Sequence, residues 1–108
     1  MYFYQLADRP TKELAPGITA RTFWGEKMLM SVVDLEPNTY LPNHSHPHEQ
    51  TGIVLEGELD MTIAGETRRL KVGDLYVIPG NVEHSARTGS QAARVLDTFS
   101  PVREEYKY

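Results

Sequence analysis

The residues of this chain best suited to chemistry are its four histidines, and they fall in two places. His44, His46 and His48 lie close together, and His84 follows far along the sequence. Side chains at i and i+2 of a strand point to one face, so His44 and His46 can converge on one point while Ser45 faces away. Gln50 follows after three further residues, enough for the chain to bend and bring its amide oxygen to the same place. Such a set can hold a metal ion. The chain has no cysteine, which excludes thiolate sites and disulfides, so any metal must be held by His, carboxylate or amide groups. His48 and Glu49 fall inside the bend and are candidates for the layer of groups behind the ligands. For His48 the residues alone allow ligation or an ordinary backbone-paired role.

The elements that must position these groups read as strands. Apolar residues alternate over short stretches, and no window of a dozen residues carries a sustained i, i+3, i+4, i+7 stripe. The pattern predicts strands over 20–24, 27–35, 40–44, 51–56, 58–63, 66–70, 75–78, 84–88 and 92–98. Turn signals separate them: Gly25-Glu26, Pro37-Asn38, Gly57, Ala64-Gly65, Gly73-Asp74, Pro79-Gly80-Asn81 and Gly89-Ser90. Many short strands at even spacing predict an all-β sandwich or jelly-roll β-barrel. Residues 1–19 are less regular: Tyr2, Phe3, Tyr4 and Leu6 suit an edge strand on this barrel or a partner's, while Pro10 and Pro16 break any helix begun by Thr11 to Ala15. Trp24, Met28, Met30 and Met61 read as core, and Glu104 to Tyr108 as a short surface tail.

At 108 residues the chain is the size of one domain, expected to span 1–108 around one core. Its net charge of -4 and dispersed Lys and Arg argue against a nucleic-acid partner. No apolar run approaches the ~20 residues of a membrane helix, and the N-terminus lacks an export signal, so a cytoplasmic protein with no membrane partner is expected.

The spacing of the candidate ligands resembles the cupin superfamily. Its first motif, Gly, five residues, His-x-His, three or four residues, Glu, six residues, Gly, matches residues 38–57, from Asn38 through His44, His46 and Gln50 to Gly57. Its second motif matches residues 73–84, from Gly73 through Pro79 to His84. The resemblance implies a single-domain cupin jelly-roll β-barrel holding one divalent metal ion through His44, His46, Gln50 and His84. Nickel, zinc, manganese, iron and cobalt all suit such ligands. Asn38 and Asn81 stand where Gly is usual, and Asn is among the few residues that enter the left-handed region at low cost. Thr88 stands where Asn is usual, which bears on packing more than chemistry. Gln50 stands for the usual Glu, and a neutral amide leaves the ion its full charge, strengthening its pull on an anionic ligand while weakening its retention.

The segment Arg94 to Glu105, with Asp97-Thr98-Phe99-Ser100-Pro101 and Arg103-Glu104, is similar to the ending of the KdgF-type cupins of pectin degradation. That resemblance implies an enzyme converting 4,5-unsaturated monouronates, small sugar acids from pectin or alginate breakdown, to linear keto forms. It gives Asp97 the role of proton carrier, Arg103 a catalytic and substrate-binding role at the carboxylate or a hydroxyl, and Phe99 an apolar wall. From the residues alone, Asp97 can equally accept hydrogen bonds from a neighbouring strand, Arg103 can be a solvated partner of Glu104 or Glu105, and Phe99 is either site wall or core. Two other classes stay open: a metal-dependent small-molecule dioxygenase, and a non-catalytic sugar-binding or ligand-binding module. The apolar N-terminal segment further predicts a homodimer.

Overall fold

The computed structural model describes residues 1–108. Ten strands carry the regular structure: β1 (Lys12–Ala15), β2 (Ile18–Trp24), β3 (Leu29–Leu35), β4 (Tyr40–His44), β5 (Glu49–Glu56), β6 (Glu58–Ile63), β7 (Glu66–Lys71), β8 (Leu75–Ile78), β9 (His84–Arg87) and β10 (Ala93–Ser100). They pair antiparallel in a six-stranded sheet of order β1-β2-β3-β10-β5-β8 and a four-stranded sheet of order β4-β9-β6-β7. The two sheets enclose the core as a jelly-roll barrel. Helix is confined to two single 3-10 turns, Leu6–Asp8 and Glu104–Tyr106.

Alternation decides which groups enter the interior. On β10, Ala93, Val95, Asp97 and Phe99 are buried, while Arg94, Leu96 and Thr98 are only partly so. Arg94 reaches across the outer face to Asp34 on β3, Nε to Oδ1 2.6 Å. Inside, the main apolar core includes Ile18, Val33, Leu35, Val54, Leu59 and Ile78. A second, smaller cluster of Leu29, Phe99 and Val102 lies apart from it. Across the inner face of the six-stranded sheet runs a row of positions in direct register on five strands: Thr22, Ser31, Asp97, Gly52 and Tyr76. All five are buried, and this polar row carries the only acid of the interior.

Turn chemistry follows the sequence closely. Asn38 and Asn81 both adopt positive φ, 58° and 66°. The hairpin of β6 and β7 turns through Ala64 and Gly65, both at positive φ, so an alanine sits in the left-handed region where Asn is the easier residue. Thr88 does more than pack: its hydroxyl bonds the Glu36 carbonyl at 2.6 Å and accepts from the Thr39 amide at 2.9 Å, clamping the Pro37-Asn38 turn.

Several expectations are corrected at the chain ends. Tyr2 to Leu6 pair with no strand of this chain; the edge of the six-stranded sheet is β1, whose charged Lys12 and Glu13 hid it from an apolar-pattern reading. The N-terminal arm instead lies on the outer face of β2, with the Tyr4 ring 5.4 Å from Phe23 and the Arg9 guanidinium 4.2 Å over Trp24. This cover keeps the outward-pointing Phe23 buried. Met28 and Met30 are exposed rather than core, because β3 starts at Leu29 and its alternation turns Met30 outward. The C-terminal tail does not simply lie on the surface: Val102 is buried, and Tyr106 packs on the smaller cluster.

Candidate metal centre

His44 and His84 stand directly opposite each other on β4 and β9, with ring centroids 4.2 Å apart. A register shift between Leu41 and His44 aims the end of β4, and the Pro42 carbonyl in that bulge takes the His44 Nδ1 hydrogen at 2.8 Å. His46 is not on the strand. It lies on the bend between β4 and β5, so its convergence with His44 comes from the bend rather than from strand alternation alone. That bend rests on the Pro79-Gly80-Asn81 turn: the Asn81 amide donates to the His46 carbonyl at 2.7 Å, and a Cβ on Gly80 would lie 2.4 Å from the Pro47 carbonyl oxygen. Gln50 enters from the opposite sheet, on β5 beside Phe99 of β10. One nitrogen from each of His44, His46 and His84 falls within 4.8 Å of the others.

The hydrogen bonds decide what this cluster can hold. The Nδ1 atoms of His44, His46 and His84 face the carbonyl oxygens of Pro42, His48 and Val82 at 2.8, 3.1 and 2.9 Å. A carbonyl only accepts, so each Nδ1 carries the proton and each neutral ring keeps a lone pair on Nε2. The His84 Nε2 is buried with no partner. The His46 Nε2 lies 3.1 Å from Gln50 Oε1, two acceptors face to face. Burial pushes His84 down to about 4 and, with the nearby Arg103 charge, lowers His46, which keeps both rings neutral and able to ligate. An orphaned lone pair and two opposed acceptors are the requirement of a cation, so His44, His46, His84 and Gln50 fit a divalent metal ion. His48 contributes its carbonyl to His46 rather than its ring to the cluster, and Glu49 is exposed.

The same cavity is lined by Asp97, Phe99 and Arg103. Burial pushes Asp97 up to about 6, opposed by hydrogen bonds from Tyr76 and the Gln50 amide and by the Arg103 charge. Arg103 pairs with Glu105, Nε to Oε1 2.7 Å, as a solvated pair would, yet its side chain is only 13% exposed. Its guanidinium lies 3.9 Å from the centre of the Tyr106 ring and 5.2 Å from that of Phe99. Phe99 belongs both to the smaller apolar cluster and to the cavity wall.

Four polar lining residues escaped the sequence reading: Ser31, Tyr76, Ser85 and Tyr106. The tail that carries Tyr106 is tied down by the Thr22 hydroxyl, which donates to the Tyr106 carbonyl. A signal existed for Tyr76, because a glycine inside a strand pattern, here Gly52, marks a close approach by something else.

A two-sheet jelly roll with converging histidines at one end defines a class, and the family model for the cupin domain matches residues 31–99. The chain belongs to the cupin family. It is 31% identical over 101 residues to the pectin degradation protein KdgF of Dickeya dadantii, covering 92% of each chain. Among solved structures, KdgF from a Halomonas species superposes with a TM-score of 0.89 at 27% identity over 97% of each chain. An RmlC-like cupin from Shewanella frigidimarina superposes with a TM-score of 0.90 at 23% identity, over 98% of this chain and 96% of that one.

Because the bend bearing His46 touches Gly80 at backbone distance, Gly80→Ala must push the two loops apart. The expected cost is about 1 to 3 kcal/mol of stability, the range for forcing an extra methyl into a packed contact. Urea denaturation of the variant beside the natural chain measures it, and an unchanged midpoint would show that the contact is slack.

Proposed function

We propose that the chain is a metal-dependent enzyme of sugar-acid breakdown, opening the ring of 4,5-unsaturated monouronates to their linear keto forms in the cytoplasm. The observation that carries this reading is a single cavity in which Asp97, Phe99 and Arg103 meet His44, Gln50 and His84. The similarity to the pectin degradation protein supports the substrate class.

The reaction is an isomerisation. The hemiacetal hydroxyl loses its proton, the C1–O5 bond breaks to leave an aldehyde, O5 becomes an enolate oxygen, and C4 takes a proton as the enolate becomes a ketone. One proton leaves and one returns, so a single acid–base group suffices. Asp97, raised by burial to about 6, is matched to giving and taking a proton near neutrality. Arg103 turns its planar fork to the substrate carboxylate in exchange for Glu105, and Phe99 gives the sugar ring an apolar wall. His44, His46, Gln50 and His84 hold one divalent ion, which when bound supplies a Lewis acid that polarises the substrate oxygens. Because all four ligands are neutral, nothing in the set offsets the attraction of an anionic substrate.

A homodimer completes the reading. The N-terminal arm leaves Met1, Tyr2 and Phe3 almost fully exposed, with Met28 and Met30 also open to solvent, an apolar surface that a second copy would cover. Light scattering at micromolar concentration should give twice the chain mass; a monomer would remove this part alone.

Elemental analysis should find one ion per chain, lost in His84→Ala; stoichiometric metal in that variant would remove the ligand assignment. With unsaturated galacturonate, the absorbance of the conjugated double bond should decay. At saturating metal, Asp97→Asn should lower kcat at least ~100-fold, the usual loss on removing an acid or base. Saturating metal is needed because the change alters the neighbour of the Gln50 ligand. Arg103→Ala should raise KM first. Full activity in Asp97→Asn would sink the proposed mechanism, and an inert natural chain would sink the substrate.

A further inference from the structure

Tyr76 sits on β8, the edge of the six-stranded sheet, and Asp97 on β10, with β5 between them. The register sets Tyr76 opposite Gly52, and Gly52 opposite Asp97. A Cβ at position 52 would lie 2.2 Å from Cζ and 2.3 Å from the hydroxyl oxygen of Tyr76, inside any real contact distance. The tyrosine therefore crosses β5 through the gap that glycine leaves, and its hydroxyl donates to Asp97 Oδ1. Burial and the adjacent carboxylate both hold that phenol protonated, so it remains a donor.

Gln50 stands two residues before Gly52 on the same face of β5 and lines the cavity together with Asp97, which sets its amide beside that carboxylate. With its NH2 drawn to Asp97, the amide presents Oε1 to His46 Nε2, at 3.1 Å. Turned the other way, the NH2 would satisfy the His46 lone pair and the ion would lose a ligand. A glutamate at position 50 would instead set two carboxylates against each other. We infer that Tyr76 is a positioning residue of the metal centre: through Asp97 it fixes the oxygen end of Gln50 toward the histidines. The inference rests on the proposed metal centre and not on the uronate reaction.

Cobalt(II) affinity, titrated against a competing chelator, tests it in the natural chain, Tyr76→Phe, Gln50→Ala and the double variant. Tyr76→Phe keeps the ring and removes only the hydroxyl. It should weaken cobalt binding about tenfold or more, the usual effect of removing a group that orients a ligand. In the Gln50→Ala background the same change should matter within about twofold, since the two residues then share no interaction. Gly52→Ala displaces the ring without removing the hydroxyl, and should likewise weaken binding only when Gln50 is present. Equal losses in both backgrounds would reduce Tyr76 to a packing residue and overturn the inference, as would an unchanged affinity in Tyr76→Phe. A natural chain that binds no cobalt would overturn the metal centre and this role together, whereas normal binding without coupling overturns the role alone.

Discussion

A carboxylate inside a barrel is tolerable only when donors surround it, and the interior of this protein is arranged around that constraint at Asp97. Tyr76 supplies one donor from two strands away, Gly52 supplies the gap it passes through, and the Gln50 amide stands beside the carboxylate in the same cavity. On β2, β3 and β10 the row divides the apolar residues, with Ala20, Val33 and Val95 on one side and Trp24, Leu29 and Phe99 on the other.

The histidine cluster obeys the opposite rule, since its members are acceptors without donors. Backbone carbonyls consume every Nδ1 hydrogen and leave lone pairs converging. The loops that provide those carbonyls are tied to each other, through the Asn81 amide and the close packing of Gly80 on Pro47. Ring orientation is thus a property of loop geometry, set before any ion arrives. The donor-rich Asp97 and the acceptor-rich histidines meet at Gln50, whose amide has one end for each.

Much of this was legible in the sequence, for identifiable reasons. Strands with one buried face announce themselves by alternation, which is why β6 and β8 fall where the pattern put them. The fixed spacing of His44, His46, Gln50 and His84 reflects the short span of two loops, so the residues that converge could be read in order. Features set by neighbouring strands were not readable. β1 has little apolar pattern of its own, the burial of Phe23 depends on the arm that covers it, and Met30 is outward only by register. Arg103 and Tyr106 come to the cavity because the tail folds back, held by a hydrogen bond from Thr22 that no local signal reports.

The position of β10 also bears on how the chain reaches this state. β10 lies between β3 and β5, and those two strands have no hydrogen bonds to each other without it. Until residues 93–100 are available, the six-stranded sheet exists only as two unjoined parts, β1-β2-β3 and β5-β8. Such non-local closure is slow, because loop entropy must be overcome before the contacts repay it. The strand that closes the barrel is the one that brings in Asp97 and Phe99, so the cavity is complete only once the six-stranded sheet is joined.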